Sequence, residues 1–137
     1  MKSFIIFLAE EIFYFNDLER MKPVSVKKEK LRSGYQYIVD YGTDETFKIT
    51  PYKTTTYKKT GPGNRLRDPD GTRREVWVDV SIIKDGKYIG STRKTFGKGI
   101  GEISKTKEKI KIGTEKAQKW FKKNLGVDLG KFDFLID

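Results

Sequence analysis

Val76-Trp77-Val78-Asp79-Val80-Ser81-Ile82-Ile83-Lys84-Asp85-Gly86-Lys87-Tyr88-Ile89-Gly90, residues 76–90, is the stretch from which the fold is read. Val76, Val78, Val80 and Ile82 fall on one side of an extended chain and Trp77, Asp79 and Ser81 on the other, the period of two expected of a half-buried strand. Lys84-Asp85-Gly86-Lys87 is a two-residue hairpin signal, because Asp-Gly tolerates the positive φ values of a type I′ turn, and 88–96 returns as the second strand. Upstream, Tyr35, Tyr37, Val39 and Tyr41 alternate with Gln36, Ile38 and Asp40. A turn at 42–45 leads into 46–59, where Pro51 argues for an edge or a bulge. Residues 60–72 hold Pro62 and Pro69 with Gly61, Gly63 and Gly71, the composition of an exposed loop.

Downstream, 97–101 is expected to be a glycine-rich connector. Residues 102–112 fit a strand carrying Lys105, Lys107, Lys109 and Lys111 in one row, with Ile110 and Ile112 opposite. The competing helix would hold Gly113 in its interior at a cost of about 1 kcal/mol. Thr114 is the expected cap of a short helix ending at Gly126, with Ala117, Trp120, Phe121 and Leu125 on its apolar face. The tail, 127–137, is expected to dock as an edge strand. The fold class is α+β: an antiparallel sheet of four to five strands, one C-terminal helix packed on it and one apolar N-terminal helix.

A chain of 137 residues supports one domain with a core. Residues 1–22 are expected to form the N-terminal helix, packing on the sheet or making a homodimer contact. Residues 23–33 read as a basic linker, and 34–137 as the α+β domain. Met21 is an alternative start, since the basic character begins just after it. The longest apolar run, 4–9, is too short to span a membrane and is broken by Glu10 and Glu11, so the chain is expected in the cytoplasm, or inside a host cell if viral.

There is no His and no Cys. Imidazole bases, thiol nucleophiles, thiolate zinc sites and iron–sulfur clusters are therefore excluded, and any catalysis would run on carboxylates, Lys, Tyr or a carboxylate-held magnesium ion. No catalytic residue, metal ligand or cofactor is assigned, and a non-enzymatic protein is expected.

Charge supplies the positive argument. The formal net charge is +10, and stretches 53–74 and 105–123 hold about half of the 29 basic residues. A folded chain with that surplus suits a polyanion. The expectation is a nucleic-acid-binding accessory protein, DNA before RNA, with little sequence preference. A basic sheet face and an Arg-rich loop would contact phosphates through Lys53, Lys58, Lys59, Arg65, Arg67, Arg73 and Arg74, and secondarily through Lys105, Lys107, Lys109 and Lys111. Tyr52, Tyr57 and Trp77 are candidate base-stacking residues if they face outward. The alternative is a protein-interaction module or inhibitor that binds an acidic surface.

Short motifs add little. Gly97-Lys98-Gly99-Ile100-Gly101 lacks the Gly-Lys-Ser/Thr of a P-loop. Lys87-Tyr88-Ile89-Gly90-Ser91-Thr92 resembles the second half of the GIY-YIG nuclease signature, but Val76, Trp77 and Val78 stand where that family has its Gly and catalytic Tyr. Pro69-Asp70 with Asp85-Gly86-Lys87 resembles the letters of a PD-(D/E)xK nuclease, which would imply a magnesium-dependent enzyme, yet turn geometry alone accounts for Asp-Gly. A strand pair followed by a helix is similar in element order to integrase arm-binding domains and to coactivator-type single-strand binders; no motif selects either.

Overall fold

The computed structural model describes residues 15–54, 58–59, 72–101 and 103–136. Long antiparallel strands β1 (Ser25–Lys30), β2 (Tyr35–Asp40), β3 (Thr46–Lys53), β5 (Thr72–Lys84) and β6 (Lys87–Gly101) lie side by side in that order. Two-residue β4 (Lys58–Lys59) pairs with the start of β5, and β7 (Leu135–Ile136) pairs in parallel with the end of β3. Helix α1 (Ile103–Leu125) packs against β5 and β6. The α+β class is as the alternation requires.

Valines 76, 78 and 80 and Ile82 are buried, and they meet Phe47 and Ile49 of β3 and Tyr37 and Val39 of β2 on the helix side. Asp85 and Gly86 have φ of 52° and 76°, the type I′ geometry that matches the twist of the two strands. The tail docks as expected at β7. Gly34, at φ 82°, gives it room: a Cβ there would stand 2.6 Å from the carbonyl carbon of Phe134.

Three sequence expectations are corrected. Residues 103–112 are not a strand, nor does the helix begin at Thr114: α1 runs unbroken through Gly113. Nor are 97–101 a flexible connector, because they extend β6. One cause underlies both. A register shift at Val76/Trp77 inserts Phe96 as an extra residue and turns Gly97 and Gly99 toward the helix. A Cβ on Gly97 would lie 2.8 Å from the Lys109 carbonyl oxygen and 2.9 Å from Gly113 Cα, and one on Gly99 would lie 2.7 Å from Thr106 Cα. Backbone meets backbone there. The intrinsic helix penalty of Gly113 is offset by the approach that its missing side chain permits.

The third correction concerns the linker at 23–33. Residues 25–30 pair with β2 from Ser25↔Asp40 to Lys30↔Tyr35 and form the sheet edge. Only Val26 among them packs against the core, so no apolar period is visible, and the lysines blunt an otherwise open edge. Of the N-terminal helix, the described part is a 3-10 turn, Phe15–Arg20, whose Phe15 and Leu18 are buried. Phe15 meets Trp120 at 4.9 Å and Phe96 at 6.2 Å between ring centroids. Trp120 Nε1 donates to Glu19 Oε1 at 3.1 Å. The remainder of the 1–22 segment expected to pack or to make a dimer contact, residues 1–14, lies outside the described residues.

At its C-terminus α1 closes in an αL motif: Gly126, at φ 68°, donates to the Lys122 carbonyl, and Val127 donates to that of Phe121.

Gly97→Ala and Gly99→Ala are each expected to destabilise the protein by about 1–3 kcal/mol through overpacking. Gly90, with nothing within 4 Å of its would-be Cβ, is the control; Gly90→Ala should change stability by less than about 0.5 kcal/mol or raise it slightly. Urea unfolding of the three variants measures both.

The hydroxyls of Tyr37 and Tyr41 are buried without a hydrogen-bond partner. Burial first, then the charges of Asp133 and Tyr35, raises the Tyr37 pKa from 10.0 to about 12. A folded value above the unfolded one means that the associated stability is complete below pH 10 and declines as pH rises through about 12. Tyr37→Phe should soften that alkaline decline while leaving stability at pH 7 unchanged or higher by about 1 kcal/mol. Urea midpoints collected from neutral to strongly alkaline pH decide it.

Candidate functional site

Side-chain parity along the strands sorts the charges. Among the described side chains the face away from α1 carries Lys27, Lys48, Arg93 and Lys98 against Glu29, Asp40, Glu75 and Asp79, an even balance. It forms a shallow polar trough among Gln36, Lys48, Thr50, Tyr52, Asp79 and Arg93. The surplus lies on the other side, where α1 alone has eight Lys against two Glu. The expected basic sheet face is therefore a basic helix face with contributions from strand ends.

Helical spacing divides the four lysines that the strand reading had put in one row. Lys107 and Lys111, one turn apart, flank the buried stripe Thr106, Ile110, Thr114, Ala117 and Phe121 on one side, and Lys105 and Lys109 flank it on the other. On the first flank a cleft of about 450 Å³ opens, lined among the described residues by Lys53, Arg74, Lys107, Lys111 and Lys131, with Thr114, Gln118 and one carboxylate, Glu115.

Each member arrives by a separate route. Lys53 ends β3 with the inward parity of Phe47 and Ile49, and Arg74 stands on β5 with that of Val76 and Val78. Arg74 Nε donates to the Thr54 carbonyl at 3.0 Å, and Thr54 N–H donates to the Glu75 carbonyl at 3.0 Å, which locks the strand ends together. Lys131 comes from the turn after α1.

The electrostatics of the cleft are unfavourable to its own cations. Burial first, then the positive charges of Arg74 and Lys131, pulls the Lys53 ammonium below the ordinary lysine range. An anion in the cleft would reverse the sign of that environment.

On the other flank Lys94, Lys116, Lys119 and Lys123 border a second groove with Phe96 and Trp120. Glu19 and Asn16 already engage it, Asn16 Oδ1 accepting from Lys94 Nζ at 3.3 Å.

Of the residues assigned to phosphate contact from sequence, the structure thus brings Lys53, Arg74, Lys107 and Lys111 together and sets Lys105 and Lys109 apart. Lys58 and Lys59 share a ladder with Arg73 and Thr72 near the same strand end. Arg65, Arg67 and Tyr57 lie outside the described residues. Tyr52 and Trp77 are on the open face, stacked on each other at 5.2 Å with 1° between planes, and Arg93 lies 5.6 Å from the Trp77 ring. Trp77 is only 8% exposed, so its ring does not face outward as a stacking platform. Lys131 was missed, because a lone lysine in an acidic tail gives no charge pattern; the signal for it is the Gly130-to-Asp133 turn that aims it back at the helix.

Among the described residues no three carboxylates gather as a metal site, and no helix is long and apolar enough to cross a membrane. No family model matches the chain, and no curated protein or solved structure matches it either.

Lys53 should titrate below the exposed lysines in an NMR titration of its side chain, and Arg74→Ala or Lys131→Ala should move it upward. Pyrophosphate, by favouring the charged form, should move it upward in the parent protein. A Lys53 pKa indifferent to all three would remove the electrostatic coupling of the cleft.

Proposed function

We propose that this protein is a non-enzymatic nucleic-acid-binding accessory protein, with DNA as its first target, and that it holds phosphates in the cleft between α1 and the ends of β3 and β5. The observation that carries this reading is the convergence of five cations from four chain segments on one space that, among the described residues, is lined by a single carboxylate. Like charges brought together and partly desolvated are destabilising by themselves. A polyanion relieves that repulsion, and the counterions it releases drive the association. Side chains of this type recognise backbone phosphates and carry no base readout, which agrees with binding that is tolerant of sequence. The N-terminal segment 1–22 is, on sequence grounds, the proposed contact with a second copy of this chain.

Mobility shifts across a salt series test the reading. Contact with about five phosphates would give a log–log salt slope near −4.5, and an affinity loss of roughly 10²–10³-fold between 50 and 200 mM salt. Two charge-matched variants separate position from net charge. Lys107→Glu with Lys111→Glu should weaken DNA binding by tenfold or more and lower the slope by about two. Lys105→Glu with Lys109→Glu alters net charge equally on the far flank and should weaken it distinctly less. Equal losses would place binding outside the cleft; no shift at low salt would end the proposal.

A further inference from the structure

Phe132 is 83% exposed, the most exposed of the large hydrophobic side chains described. It is held at the tip of a rigid turn. Gly130 N–H donates to Asp133 Oδ2 at 2.8 Å, Asp133 N–H donates back to the Gly130 carbonyl at 3.0 Å, and the Asp133 carbonyl accepts from Tyr35 N–H at 3.0 Å. Lys28 Nζ stands 3.6 Å from Asp133 Oδ2. Leu129 before the turn and Phe134 after it are buried, so both ends are anchored in the core. The ring is thus presented outward from a hydrogen-bonded turn anchored at both ends.

The neighbour of this ring is the cleft. Lys131 Nζ lies 5.2 Å from the Phe132 ring centroid, and Lys131 also lines the cleft and acts on the charge of Lys53. An outward aromatic beside a row of phosphate-binding cations is the arrangement that holds an unpaired base against its own backbone: the ring covers the π-face of the base while the ammonium groups meet the phosphates. A base inside a duplex has both faces covered by its stack neighbours and cannot use such a ring.

We infer that the ligand of the cleft is single-stranded nucleic acid and that Phe132 stacks on one of its bases, with Lys131 joining the ring to the phosphate site. The inference rests on the nucleic-acid reading given above and goes beyond it in naming the strand state and a residue for base contact.

Fluorescence anisotropy with a labelled oligothymidylate and with a labelled duplex of equal length, at low salt, tests it. Phe132→Ala should weaken the oligothymidylate complex by about tenfold at an unchanged salt slope, the scale of one lost base stack, and should alter duplex binding less than about twofold. Phe132→Trp should restore or exceed parent affinity. Equal oligothymidylate affinity of parent and Phe132→Ala would overturn the stacking role, and a loss confined to duplex would show a wedge between base pairs instead. In both cases a salt-dependent complex sensitive to Lys107→Glu with Lys111→Glu would leave the phosphate cleft standing. Failure of the parent to bind either oligonucleotide would overturn the cleft and the stack together.

Discussion

Helix α1 and strand β6 touch through their main chains, and the placement of the other helix-side groups follows from that contact. Gly97, Gly99 and Gly113 supply no side chains at the crossing, and atoms of the two backbones come within the distance at which a Cβ would collide. Ordinary side chains would hold the helix axis farther from the sheet. At this short separation Ile110, Ala117 and Phe121 reach the valine row of β5, and Trp120 is brought onto Phe15 of the 3-10 turn. The bulge at Phe96 belongs to the same device, since without one extra residue the two β6 glycines would face the open side of the sheet.

The position of the cations is a secondary result of the same geometry. Once the stripe from Thr106 to Phe121 is fixed against the sheet, Lys107 and Lys111 lean toward the ends of β3 and β5, where Lys53 and Arg74 point up from the strands. Nothing in that packing requires cations at those positions; apolar or neutral side chains would satisfy it with less repulsion. The charges are tolerated by a fold whose stability comes from the valine row, the aromatic contacts and the glycine crossing.

The strand pair around Asp85-Gly86, the inward valines and the C-terminal apolar face were legible in the sequence because each rests on a local rule: period two, a turn requiring positive φ, and a glycine-ended amphipathic run. The basic segment 105–112 was not, since lysines at every second position fit a strand, while the helical stripe passes through Thr106 and Gly113, which do not look apolar. The glycines of 97–101 read as a loop for a similar reason. Their role is set by a helix elsewhere in the chain, and no window of local sequence contains both partners. Lys53, Arg74, Lys107 and Lys111 were singled out by charge density, while their grouping, and the place of Lys131 beside them, required the tertiary arrangement.

The bonds that Thr54 makes to Glu75 and Arg74 have a geometric consequence for the sheet end of the cleft. Departure and return are fastened at one place on the rim of the cleft, and the Lys59↔Thr72 pair draws the two arms together again. The same bonds join the residue after Lys53 to Arg74 itself, so the two strand-borne cations of the cleft share one anchorage.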